Sequence, residues 1–408
     1  MSETTATRIG PLGRAVTLLA LAVAWAVAAV LLWNTTVPPL DLDGFDEHRY
    51  FGERATDRAH DYSQGARAIW LLSTAATIAT LIVLVRIIPP RAARLGLGRI
   101  GSAIVVGMLI LVTLWFVALP FGLASLWWQH HWGLAPFDIF SWLVAQRYAL
   151  AVGGAFAMLV IVVVVGFAAR FGRLWWIAAA PVFIVLLAAL VFVSGWLLAA
   201  DTTAIRDATL QADVTRLARA EGVGDTPVHV QDVDDWTDQA NAFAAGYGPS
   251  TNVVLWNTLL DGRFSRSEVN AVVAHELGHV KRRHVAKSLA WFALFALPAG
   301  LLVAELTRRR GGLQDPANLP YAMLVFTIIG LAAAPFQNLV SRRYEAEADW
   351  IALQTTKNPV AVKELFRGFE RTSLEEPNPP LLDYVWLESH PTIMQRIAMA
   401  ERYREGRR

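Results

Sequence analysis

Two histidines flank a glutamate in the run His275-Glu276-Leu277-Gly278-His279. On a helix, residues four apart share a face, so both imidazoles can grip one metal ion. Glu276, one residue along, can reach a water beside that ion. This is the donor set of a zinc hydrolase that makes its own hydroxide. The chain has no cysteine, which excludes thiolate ligands and disulfides and leaves His, Asp and Glu as metal ligands. One zinc ion is the expected cofactor, and ligand type alone does not set it apart from other divalent metals.

A catalytic zinc needs a third protein ligand and an open position. A metzincin would place Gly at 282 and His at 285, where this chain has Arg282 and Val285. His284 follows His279 by five residues and, on a continuous helix, points to another side, as a solvated residue. The run Tyr344-Glu345-Ala346-Glu347-Ala348-Asp349 puts Glu345 and Asp349 on one face and Glu347 opposite. A carboxylate from that face suits the third position, with Asp349 accepting the free ring N–H of a ligand histidine. The other reading is a solvated acidic face following Arg342 and Arg343. His390-Pro391 with Arg396 forms a further constellation. There His390 either steadies the oxyanion of a tetrahedral intermediate or simply enters a helix, whose first turn suits Pro391.

The elements that must position these groups are mostly apolar. Of 408 residues, 55% are hydrophobic and 17% charged, against about 45–50% and 25% in soluble domains. Spans are expected at 15–33, 68–85, 102–128, 148–169, 174–200, 288–306 and 320–340, each long enough for a bilayer and free of charge at its centre. Many of the 16 tryptophans, such as Trp127, Trp128 and Trp132, sit near span ends, as in an interfacial belt. Arg8 and Arg14 precede the first span, whose length and successors favour a retained helix over a signal peptide.

Residues 1–200 thus form five spans with a polar loop at 34–67 (Asp41, Asp43, Asp46, Glu47, Arg49 among its charges). Residues 201–287 and 341–408 form one water-facing domain, split by the hairpin of spans at 288–340. Within it, 202–221 is expected as a helix, with strands at 228–233, 241–247 and 252–260. Ser265-Arg266-Ser267-Glu268 is a capping box opening the helix of the His-Glu-x-x-His run. Further helices are expected at 342–355 and 392–404.

Together these motifs resemble the type I CAAX prenyl protease family and its heat-shock membrane protease relatives. They occur in the family's order: Asn241-Ala242-Phe243, the His275–His279 run, Ser341-Arg342-Arg343-Tyr344-Glu345 with Ala348-Asp349, then Ser389-His390-Pro391 and Arg396. Seven spans match the CAAX branch, since the heat-shock branch has fewer. The resemblance implies a mainly α membrane protein whose seven transmembrane helices enclose a chamber, with a zincin-like α+β metalloprotease domain. It implies Glu345 as third zinc ligand, Asn241 and Ala242 on an edge strand that pairs with an extended substrate, and His390 and Arg396 lining the cleft. The loop at 34–67 does not align to the family pattern.

The expected function is that of a membrane zinc metalloendopeptidase of the gluzincin type, with Glu276 as general base. Its expected partners are peptide or protein substrates and the lipid bilayer. A net charge of +2 is too small to suggest nucleic acid. A transporter would carry ionisable groups within its spans. A non-catalytic zinc-stabilised scaffold would have no need of Glu276. Lys and Arg flank the spans on both sides, so charge sets no orientation, although the short loops lean toward an outside domain. The resemblance implies a cytoplasmic domain at a bacterial cell membrane.

Overall fold

A computed structural model describes residues 11–38, 46–92 and 95–406. Arg8, Asp41, Asp43 and Arg94 lie outside the described residues, and of Arg49 and residues 11–18 only the backbone is described. Long helices dominate: α1 (Pro11–Trp33), α2 (Glu53–Ile87), α3 (Gly98–His131), α4 (Ile139–Phe171) and α5 (Trp175–Ala200). A second pair, α8 (His284–Arg308) and α9 (Leu319–Thr356), follows the first half of the polar domain. Five stretches among the described residues are long and apolar enough to cross a membrane. One of them, Ile139–Ala200, holds both α4 and α5, joined by a single 3-10 turn at Gly172–Leu174. Leu19–Trp33 of α1 is a shorter apolar stretch. The expected spans therefore fall on these helices.

Their outer surfaces are apolar. Leu31, Val185 and Phe326 are 70%, 65% and 67% exposed. Contiguous exposure of this kind marks a surface that faces something other than water. Between the helices, Leu81, Ala103, Ile110 and Val165 are buried in a shared core. The chain is an integral membrane protein of mainly α architecture.

The polar domain is built on a small sheet of β1 (Thr203–Ala204), β2 (Val228–Gln231), β3 (Ala242–Ala245) and β4 (Asn252–Trp256). The strand order is β1-β2-β4-β3, with β2 and β4 parallel and both outer pairs antiparallel. The expected strands are present but shorter. The expected helix at 202–221 is α6 (Ala208–Glu221), because Asp207 caps it by accepting from Thr209 and Leu210 N–H groups. Residues 203–204 instead join the sheet.

Against the sheet lies α7 (Arg266–Lys281), opened by the capping box: Ser265 N–H donates to Glu268 and Glu268 N–H to Ser265 Oγ. The second half of the domain supplies α10 (Pro359–Ser373), α11 (Leu381–Trp386) and α12 (Ile393–Glu405). Leu217, Leu255, Leu277, Leu353, Phe366 and Ile397 meet in one core, which joins residues on both sides of the α8–α9 hairpin. The membrane part is tied to this domain at Gly195 of α5, whose carbonyl accepts from Asn252 Nδ2 at 2.7 Å.

Two expectations change. The polar loop at 34–67 is largely helical: a short helix runs Glu47–Phe51, and α2 begins at Glu53, well before its apolar part. This polar start packs on the C-terminal half of the domain, where Arg67 and His60 both bind Glu376. Partners on the protein, rather than lipid, thus extend the helix. Likewise the expected span at 320–340 and helix at 342–355 are one continuous rod, α9. The acidic run is therefore rigidly joined to a membrane span.

Candidate active site

Two helices bring the chemistry together. Gly278 of α7 faces Ala348 and Ile351 of α9, and a Cβ added there would sit 3.4 Å from Ala348 Cα. That close approach sets the His275–His279 face of α7 against the Glu345–Asp349 face of α9. His275 and His279 point their Nε2 atoms at each other, 3.0 Å apart. Glu345 completes the group, with Oε2 at 3.2 Å from His275 Nε2 and Oε1 at 3.5 Å from His279 Nε2. One ligand atom from each of the three lies within 4.8 Å of the others. Glu345 Oε2 is buried and has no hydrogen-bond partner among the described residues.

Behind His275, Asp349 Oδ1 accepts from the ring Nδ1 at 2.8 Å. Arg396 of α12 grips Asp349 through Nε at 2.8 Å and Nη2 at 2.7 Å. Burial works against a charged Asp349, but the Arg396 guanidinium and His275 outweigh it and hold its pKa down to about 2. Burial likewise works against a charged His275, yet the nearby Asp349 and Glu345 carboxylates push its pKa up to about 10. Burial is outweighed again at Glu345, where His279 and His275 hold the carboxyl well below the usual range.

His390 approaches from the loop before α12, with Nε2 3.4 Å from Glu345 Oε2, and half its side chain is open to solvent. Glu276 is buried on α7 beside His275. Asn241 and Ala242 lie at β3, an edge strand that packs along α7. Trp256 N–H donates to Asn241 O at 3.0 Å. Antiparallel alternation then turns the peptide groups of Ala242 and Ala244 toward the free edge. Asn241 Oδ1 accepts from Ala242 N–H at 2.8 Å. His275, His279, Glu345 and His390 thus meet around one point, with Asp349 and Arg396 behind His275.

His284 departs from expectation. It is 3% exposed, not solvated. Its Nδ1 lies 3.0 Å from His279 Nδ1 and its Nε2 3.0 Å from Glu347 Oε2. The reason is a break: α7 ends at Lys281 and Arg283 adopts a left-handed backbone, φ 54°. Counting along an uninterrupted helix therefore misplaces His284. Glu347, on the opposite face of α9 as expected, is fully buried and accepts from the Thr36 backbone and hydroxyl. Neither contact has a local sequence signal, since Thr36 is distant along the chain.

Residues 204–404 match the model of peptidase family M48. The chain is thus an integral membrane protein whose polar domain is similar to the M48 peptidases. It is 30% identical over 212 residues to an uncharacterized metalloprotease, YhfN, of Bacillus subtilis, covering 50% of each protein. It is 28% identical over 207 residues to a CAAX prenyl protease 1 homolog of Arabidopsis thaliana, covering 48% of each. The chain so spans about half the length of these curated relatives. The fold matches the crystal structure of S. mikatae Ste24p with a TM-score of 0.69 at 19% identity, covering 93% of this chain and 97% of that one. The likeness to Ste24p thus extends, as a fold, over nearly the whole molecule.

Proposed function

We propose that this chain is an integral membrane zinc metalloendopeptidase. The observation that carries the reading is the convergence of His275, His279 and Glu345 on one point, with a buried Glu345 oxygen lacking a hydrogen-bond partner. Two imidazoles and one carboxylate are a catalytic-zinc donor set that leaves one position open. Zinc there supplies a Lewis acid that lowers the pKa of a water toward about 7. The M48 match across this domain supports the assignment.

The chain's own groups then have distinct tasks. Glu276 takes the proton of the attacking water and returns it to the leaving amine. His390, half open to the cleft, donates to the oxyanion. Asp349 fixes the tautomer of His275, and Arg396 fixes Asp349. The free edge at Asn241 and Ala242 pairs with an extended substrate backbone. The membrane helices enclose a chamber that controls access, and the domain faces the cytoplasm of a bacterial cell. Substrates are membrane-associated or unfolded proteins, with prenylated chains as a narrower class.

The test is incubation of the detergent-purified chain with an unfolded protein and with a prenylated peptide, before and after chelation. Cleavage lost on chelation and restored by zinc supports the reading. Cleavage that survives complete metal removal overturns it.

A further inference from the structure

His279 has a supporting network of its own, unlike that of His275. It rests on the reading that His279 is a metal ligand. With Nε2 turned to the point shared by His275 and Glu345, a neutral His279 carries its proton on Nδ1. The atom facing that Nδ1, at 3.0 Å, is Nδ1 of His284. Two ring nitrogens share a hydrogen bond only when one is protonated. His284 Nδ1 therefore accepts, and its proton sits on Nε2. That Nε2 lies 3.0 Å from Glu347 Oε2.

Glu347 ends the chain as a fixed acceptor. It is 0% exposed. Its Oε1 accepts from Thr36 N–H at 2.7 Å and Thr36 Oγ1 at 2.8 Å, with Arg282 Nε at 2.9 Å. Lys287 Nζ adds a second cation 3.7 Å from Oε2, so Glu347 stays a carboxylate acceptor and one arrangement of protons satisfies the series. The His284 ring also lies flat on Tyr344, at 4.6 Å and 7°. Tyr344 in turn donates to Leu32 O at 2.7 Å.

We propose that His284 and Glu347 form a two-member relay that positions His279, anchored by Thr36 where the first membrane helix ends. His275 has a direct carboxylate; His279 has a carboxylate acting through a second imidazole. The segment leaving α1 is then a structural part of the metal centre. His284 is a positioning residue and touches no substrate.

The test is zinc affinity, read by competition with a fluorescent chelator on the full chain in detergent. His284→Phe keeps a flat ring but cannot accept or donate, and should weaken zinc binding about 10- to 100-fold. His284→Gln can accept through its oxygen and donate through its nitrogen, and should recover most of that loss. Thr36→Val should weaken binding several-fold. Glu347→Gln added to His284→Phe should cost little further affinity, because the series is already cut. Metal-free melting of Thr36→Val should stay near wild type, so its zinc affinity reads the relay even if His284→Phe misfolds. Wild-type affinity in folded His284→Phe or in folded Thr36→Val overturns the relay. Zinc binding unaffected by His279→Ala would instead overturn the metal-site reading beneath it.

Discussion

Arg396 holds both carboxylate oxygens of Asp349, and one of those oxygens also accepts from His275. A residue near the C-terminal end of the domain thus orients a histidine on the last helix of its first half. The pair is buried on both sides, with Arg396 8% and Asp349 3% exposed. Removing one partner of such a pair leaves an uncompensated charge. Arg396→Ala should destabilise the domain by about 3–5 kcal/mol, measured as denaturant or thermal unfolding in detergent. Asp349→Asn keeps the shape but leaves the buried Arg396 cation unpaired, so it should destabilise the domain as well and in addition weaken zinc affinity by about 10–100-fold.

The β3 edge carries a prediction about substrate. Ala244 turns its peptide group to the free edge, so Ala244→Pro removes a donor and crowds the groove without touching the ladder to β4. Zinc content should stay at wild-type level. The specificity constant for an extended peptide should fall about five- to tenfold, the worth of one hydrogen bond near 1 kcal/mol. Unchanged turnover would mean substrates do not add to this edge.

Glu221 predicts a pH effect. It is the last residue of α6, 4% exposed, with both carboxylate oxygens lacking hydrogen-bond partners among the described residues. Burial raises its pKa to about 7. The folded state therefore keeps the proton after the unfolded chain, near the ordinary glutamate value of 4.5, has lost it. Glu221 accordingly favours the folded state least at high pH, and stability falls between about pH 4.5 and 7. Glu221→Gln should be near neutral at pH 5 and more stable than wild type by about 2–3 kcal/mol at pH 8. Unfolding curves at the two pH values check the sign.

Gly195 tests how the membrane part meets the domain. A Cβ there would lie 2.4 Å from Ser250 O and 2.9 Å from Gly246 Cα. Gly195→Ala must push α5 away from the β3–β4 turn and break the Asn252 bond to its carbonyl. We expect a loss of about 1–3 kcal/mol. Gly153→Ala, on α4, meets nothing within 4 Å and should be neutral or stabilising by about 0.5–1 kcal/mol. Equal melting of the two variants would contradict the docking.

Much of this molecule was legible in its residues, because the strongest signals are local. Apolar runs gave the spans, and the pair Ser265 and Glu268 marked the start of α7. The spacing of His275 and His279, and of Glu345 and Asp349, marked faces that do converge. What stayed hidden depends on contacts across the chain. The helix at 53–67 draws on Glu376, the burial of Glu347 on Thr36, and the place of His284 on a left-handed Arg283. None of these has a period or spacing to reveal it. The fusion of the seventh span with the Glu345 helix was hidden for a different reason: polarity changes along α9 while its backbone does not.

The most direct test of the central claim is Glu276→Gln, assayed together with its metal content. The proton-transfer role predicts one zinc per chain, as in wild type, an unchanged melting curve, and cleavage of an unfolded substrate reduced by at least about 100-fold. Cleavage at the wild-type rate in zinc-loaded Glu276→Gln would contradict the account.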